Sequence, residues 1–400
     1  MTSENENNFG TSEFSIGDRV SAFCDQYDEE REAIIKAFRN NSTEAYIHFE
    51  HEDRRLDDWV PISQLKKEIA TSQPSTPLHV LSRRDHERLN DNSDDEQLSP
   101  EILKFEQLHK EVTKIRNIEL ITITNFTIRT WYFSPYPHPF FDLSHLYICD
   151  HCFQYFSTQD QLDQHLQQTK ELRPPGREIY RKDNISIFVL YGMKQKLACQ
   201  NLCLLAKLFL DHKTLFYDVE GFIFYVLCEC DQTGAHVAAY FSKEIDSAEG
   251  NILACIAVLP PYQKRGYGRL LISLSYELAK RQHKSGGPER PLSDLGKIAF
   301  HAYWRDTLIE TLRDRIRDIS SLDDLVQLTS ISRDDIIDVL RELKLVSRGK
   351  GEYELYIQKE ILQQAIQTFE SNTKPKLKID PNALIWLDGD DDKTDFTIEE

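Results

Sequence analysis

The chain has 400 residues, with 48 Lys and Arg against 66 Asp and Glu and a net charge of −18. Its 40% hydrophobic and 28% charged content reads as globular with some unstructured segments, and no apolar run reaches the roughly 18 residues of a membrane span. The charge argues against a chain held to nucleic acid mainly by counterion release and suits one that attracts basic partners. Eight cysteines behind a polar, acidic start, MTSENENNFG, point to reduced thiols in the cytosol or nucleus and not to a disulfide scaffold.

In chain order, residues 1–13 are expected to be disordered. Residues 14–66 alternate short strand patterns, Asp18–Phe23, Glu32–Phe38, Glu44–Phe49 and Trp59–Pro61, around a hairpin turn at Asn40-Asn41-Ser42. They predict a small β-barrel near the lower size limit for independent folding. Residues 67–105, with SQPSTP and NDNSDDEQLSP, have linker composition. Residues 106–386 carry dense apolar patterning and predict one large mixed unit of helices and strands. Its predicted strands are Glu119–Thr122, Phe153–Phe156, Ile185–Leu190, Phe222–Glu229, His236–Ser242 and Ile252–Leu259, the last three as an antiparallel meander. Predicted helices are Gln159–Gln168, Gln200–Leu210, Gly268–Lys284, Ala302–Asp318, Leu322–Leu328 and Arg333–Leu343. Residues 387–400 form an acidic tail.

The most informative local pattern begins at Cys255. A strand ends at Pro260-Pro261, which cannot continue a ladder. The loop Gln263-Lys264-Arg265-Gly266-Tyr267-Gly268-Arg269 then enters an amphipathic helix. Its glycines let backbone N–H groups turn toward a phosphate, the helix start adds a positive dipole end, and Lys264, Arg265 and Arg269 add charge. Together these features point to a pyrophosphate of the acyl-CoA kind.

Six ordered blocks extend the pattern: WYFSPYP at 131–137, PPGREIYR at 174–181, NLCLLAKLFLDHKTL at 201–215, AYFSKE at 239–244, PERPLSDLG at 288–296 and IDPNALIW at 379–386. With them the chain resembles the MYST family of histone acetyltransferases, most closely the branch that supplies catalytic subunits of nucleosome acetyltransferase complexes. The resemblance implies an α+β fold with a GNAT-like acetyl-CoA-binding core. A chromo-barrel precedes that core, which carries a zinc-finger-like part at 140–170 and a helix-turn-helix-like part at 320–346.

By the same resemblance, Glu289 is the general base that a lysine amine, protonated at neutral pH, requires before it can attack a thioester. Cys255 lines the chemistry or carries the acetyl group transiently; direct attack from a ternary complex is the favoured route, with a backbone N–H near Ile256 stabilising the oxyanion. Lys213 matches the autoacetylated lysine. Acetyl-CoA contacts carry over to Ile256, Ala257, Val258, Gln263 through Arg269, and Ser293, while Ala302 stands where relatives place a hydroxyl. Cys149-x2-Cys152 with His165 has zinc-ligand spacing, and the resemblance places a cysteine where this chain has Thr169, which leaves zinc open. In the barrel, Phe23, Tyr27, Tyr46, Phe49 and Trp59 are the aromatics for a methyl-lysine or RNA ligand, although a small barrel needs most of them as core. The second helix of the 320–346 region carries four acids against two bases, which fits structural support better than DNA reading. The expected partners are histone tails or nucleosomes and subunits of a chromatin complex, in the nucleus. The alternative is a catalytically weak chromatin scaffold or reader.

Overall fold

The computed structural model describes residues 14–67, 113–211, 213, 217–349, 352–372 and 376–385. The segment 1–13, nearly all of the linker 67–105 and the tail 387–400 lie outside the described residues. The described residues fall into two compact units: those up to Glu119 together with Thr130–Ser134, and Leu120–Arg129 together with those from Pro135 on.

In the first unit, β1 (Arg19–Cys24), β2 (Glu29–Arg39), β3 (Glu44–Phe49), β4 (Asp58–Pro61) and β5 (Lys66–Lys67) pair in the order β4-β3-β2-β1-β5. Asn40, Asn41 and Ser42 all take left-handed φ values (53°, 54° and 63°), so the turn sits at the expected residues. Val20, Ala33, Ile35, Ala45, Ile47 and Phe49 fill the core. Of the five barrel aromatics, Tyr46 and Phe49 are buried. The Arg31 guanidinium covers the Tyr27 ring at 3.9 Å and Arg39 covers Trp59 at 4.5 Å. Phe23 remains exposed.

The second unit is built on an antiparallel sheet whose strands follow chain order: β10 (Arg177–Lys182), β11 (Ile185–Tyr191), β12 (Phe222–Asp231), β13 (Gly234–Glu244) and β14 (Ile256–Val258). A smaller sheet of β6 (Leu120–Ile123), β7 (Phe126–Arg129), β8 (His145–Ile148) and β9 (Tyr155–Phe156) precedes it, ordered β7-β6-β8-β9, followed by helix α1 (Gln159–Gln168). Strand β13 is buried from Ala235 to Lys243, as a central strand must be. Helices α2 (Lys196–Lys207) and α3 (Tyr267–Arg281) are each buried over most of their length. The long α4 (Asp294–Arg315) fastens to α3 by Trp304 Nε1 donating to the Tyr276 hydroxyl at 2.7 Å. Helices α5 (Leu322–Thr329) and α6 (Arg333–Glu342), the hairpin β15 (Val346–Gly349)–β16 (Glu352–Leu355) and α7 (Lys359–Ser371) complete the unit.

Two predicted elements differ in extent for physical reasons. The strand expected over Ile252–Leu259 is reduced to Ile256–Val258. Ser242 pairs irregularly with both Ala254 and Cys255, and the Ile252 N–H turns away to the Gly287 carbonyl at 3.0 Å. The helix expected from Ala302 starts eight residues earlier, because the Ser293 hydroxyl caps it by accepting from Gly296 N at 3.1 Å.

Candidate active site

The break in the edge strand places Cys255. Ser242 N donates to the Cys255 carbonyl at 2.8 Å, and Ser242 Oγ accepts from Cys255 N at 3.3 Å. The half-buried thiol meets Lys213, whose Nζ lies 3.8 Å from Cys255 Sγ. Lys213 is itself buried; burial pushes the Cys203 thiol up, and the nearby Lys213 charge only partly opposes that. Its neighbour His212 lies outside the described residues.

Glu289 enters the same site from another segment. Leu253 and Pro288 form a parallel bridge, and Glu289 N donates to the Leu253 carbonyl at 2.8 Å. The side chain reaches solvent, yet protein crowds its carboxyl. Desolvation, then Glu244 and Glu249, raise its pKa above the ordinary carboxylate value, and Lys213 opposes them. Lys213 and Cys255 therefore meet at one edge of the sheet, and the Glu289 segment is bonded to the same broken strand two residues before Cys255.

The loop after β14 has the shape of an anion nest. Gln263 Nε2 donates to the Val258 carbonyl at 3.1 Å, and Lys264 (φ 62°) and Gly266 (φ 92°) are left-handed on either side of Arg265. Gly266 starts α3 without a side-chain cap, so the first N–H groups of the helix have no partner from a capping residue. A Cβ added at Gly268 would meet nothing closer than Val258 Cγ2 at 3.6 Å, so packing within the protein does not require glycine there. These features fit a pyrophosphate. Two of the loop's basic side chains are also ion-paired within the protein. Arg265 pairs with Glu229 at 2.8 Å, and Arg269 pairs with the buried Asp306 at 2.9 Å. Ile256, Ala257 and Val258 stand in register with Phe241, Tyr240 and Ala239. Ser293 is committed to capping α4, and Ala302 lies within that helix.

A second centre forms where β8 leads into α1. Ligand atoms of Cys149, Cys152 and His165 lie within 4.8 Å of one another, with Cys152 Sγ 3.3 Å from His165 Nε2. Thr169 Oγ1 occupies the fourth side at 3.3 Å from the same nitrogen while donating to the His165 carbonyl at 2.8 Å. The donor set fits zinc with three protein ligands and lacks the usual fourth. Beside it, sequence reading missed a buried clamp. Both nitrogens of His236 face carboxylates, Nδ1 on Asp150 at 2.6 Å and Nε2 on Asp231 at 3.0 Å, and they raise its pKa to about 9. The signal available was Asp-His between the two cysteines, but nothing linked it to residue 236.

Comparison with known proteins assigns each part. Residues 173–384 match the MOZ/SAS family, 115–168 the MYST family zinc finger domain, and 14–67 the RNA binding activity-knot of a chromodomain. The chain is 41% identical over 349 residues to putative MYST-like histone acetyltransferase 1 of Oryza sativa subsp. japonica, covering 86% of this chain and 77% of that protein. It is 37% identical over 412 residues to histone acetyltransferase ESA1 of Saccharomyces cerevisiae, covering 92% of each. To the Eremothecium gossypii ESA1 it is 37% identical over 425 residues, covering 96% of this chain and 97% of the relative.

Proposed function

Since the chain belongs to the MYST family of histone acetyltransferases, we propose that its acetyl transfer is carried by Glu289, with Cys255 and Lys213 lining the reacting centre and the Gln263–Arg269 loop holding the CoA pyrophosphate. The protein is a lysine acetyltransferase that uses acetyl-CoA, and histones are its substrate class. The Lys213–Cys255 contact, and the bonding of the Glu289 segment to the same broken edge strand, support this assignment of roles. Acetyl-CoA supplies an acetyl group activated as a thioester.

Glu289 accepts a proton from the ε-ammonium of the incoming lysine. The freed amine attacks the acetyl carbonyl; as the C–S bond breaks, the adduct nitrogen gives up its extra proton and the departing CoA thiolate takes one up, so that CoA leaves as the thiol, while Glu289 passes its proton to solvent. The raised pKa of Glu289 brings it nearer the range in which a base works at neutral pH. The N–H near Ile256 is the proposed oxyanion donor. Cys255 is held by its backbone contacts to Ser242, which suits a wall of the site in a direct-attack mechanism.

The net negative charge suits basic histone tails, and the likeness to histone acetyltransferases supports a nuclear location. Membership in a multisubunit chromatin complex, and an RNA or methyl-lysine ligand for the barrel, are further proposals resting on likeness to ESA1 proteins and to the chromodomain knot. The test is acetyl transfer from acetyl-CoA to nucleosomes by the purified protein and by Glu289→Gln. A loss of about 10²–10⁴-fold in the variant is expected. Unchanged activity in the variant would remove Glu289 as the base, and an inactive wild type would favour a scaffold.

A further inference from the structure

Helices α5 and α6 both begin Ser-x-x-Asp, and the two aspartates are used differently. In α5, Ser321 and Asp324 close a reciprocal capping box: Ser321 Oγ accepts from Asp324 N at 3.2 Å, and Asp324 Oδ2 accepts from Ser321 N at 2.8 Å. In α6, Ser332 Oγ accepts from Asp335 N at 3.2 Å, but Ser332 N donates to the Gly286 carbonyl at 3.1 Å. That leaves the Asp335 carboxylate for other partners. One oxygen accepts from Arg290 Nη2 and the other from Ser332 Oγ at 2.6 Å. A Cβ added at Gly287 would stand 2.7 Å from that second oxygen. Asp335 is only 2% exposed, and a carboxylate so buried is held by its partners.

These contacts close on the segment that carries Glu289. On one side, Ile252 N donates to the Gly287 carbonyl at 3.0 Å and Glu289 N to the Leu253 carbonyl at 2.8 Å. On the other, Gly286 N donates to the Ser330 carbonyl at 3.0 Å, in a parallel bridge of Gly286 with Ile331. Gly287 and Arg290, the residues that meet Asp335, flank Pro288 and Glu289. We propose that Asp335 is a positioning residue for Glu289, anchoring this short segment from α6 through Arg290 and packing close against its Gly287 end, and so fixing the direction of the carboxylate. The helix-turn-helix then serves as the rigid side of the catalytic segment. The inference rests on the reading of Glu289 as the base.

The test uses the full chain with acetyl-CoA and nucleosomes, comparing wild type with Asp335→Ala, Gly287→Ala, the double variant and Glu289→Gln. Asp335→Ala is expected to lower kcat about tenfold to hundredfold, the effect of a displacement near 1 Å, while acetyl-CoA affinity is unchanged. The acidic limb of its pH–kcat profile moves to lower pH as the loosened Glu289 carboxyl gains water, against the charges of Glu244, Glu249 and Lys213 that face it. Gly287→Ala lowers kcat as well and adds nothing in the Asp335→Ala background, because the clash is gone. A folded Asp335→Ala with the wild-type kcat and pH profile overturns the proposal. So does a loss of kcat matched by an equal loss of acetyl-CoA affinity. If Asp335→Ala does not fold, Asp335→Asn, which keeps the shape but not the charge on Arg290, is judged by the same criteria. An inactive Glu289→Gln beside a fully active Asp335→Ala removes positioning alone; a fully active Glu289→Gln removes the base and positioning together.

Discussion

Gly268→Ala separates what the acetyl-CoA loop does for the ligand from what it does for the fold. Gly268 is the second residue of α3, its φ is not left-handed, and the nearest atom to an added Cβ is Val258 Cγ2 at an ordinary 3.6 Å. Alanine is a better helix residue than glycine by up to about 1 kcal/mol, so the variant should melt at the wild-type temperature or up to about 4 °C above it. If the N–H groups of this turn hold a pyrophosphate, the methyl group stands in its way. Losing one or two charge-assisted hydrogen bonds, each about 1.5–3 kcal/mol, weakens acetyl-CoA binding by at least about tenfold. Gly266→Ala differs, because φ there is 92° and Leu377 Cδ1 lies 3.0 Å from the new carbon. It should lower the melting temperature as well as the affinity. The assay is calorimetric titration with acetyl-CoA beside thermal unfolding. Gly268→Ala binding acetyl-CoA as tightly as wild type would refute the nest.

Three further outcomes follow from other parts of the molecule. Thr169→Cys completes a four-donor set with Cys149, Cys152 and His165, so it should bind zinc more tightly than wild type in a competition with a chromophoric chelator. His236 has a folded pKa of about 9 against an ordinary 6.5, so its clamp stabilises fully below about pH 6.5 and is lost as pH rises through 9. Denaturant midpoints of wild type and His236→Gln should therefore differ most at pH 6 and converge toward pH 10. Ile47→Ala removes a fully buried side chain from the barrel core and costs about 2–5 kcal/mol, a large share of the stability of so small a unit; proteolysis within residues 14–67 should accelerate.

The sheet and the loop were legible because their signals are local. The apolar and aromatic runs of β12 and β13 flank a turn at Asp231–Gly234, and the Pro-Pro stop and glycines of the loop lie close together in sequence. Strand β10, REIYRK, was missed because an edge strand with charged residues carries little apolar pattern. The strand over Ile252–Leu259 was overextended for the opposite reason. Ile252, Leu253, Ala257 and Leu259 are buried, but Ile252 and Leu253 bond to the Glu289 segment and not to β13. The use of Arg265 and Arg269 in ion pairs could not be read, since Glu229 and Asp306 lie about 35 residues or more from them in the chain. In sequence Asp335 is one of several acids in the second helix of the 320–346 region. Its turn toward Arg290 depends on a contact across 45 residues that no local pattern records.

The assignment of Glu289 is tested most directly by the pH dependence of the acetyl-transfer rate on nucleosomes at saturating acetyl-CoA. Wild type should rise through an acidic limb whose apparent pKa lies above 4.5, the ordinary value, because burial, Glu244 and Glu249 disfavour the carboxylate. Glu289→Gln should bind acetyl-CoA normally, lose about 10²–10⁴-fold in rate and lose that limb. A variant that keeps both the wild-type rate and the limb would contradict the account.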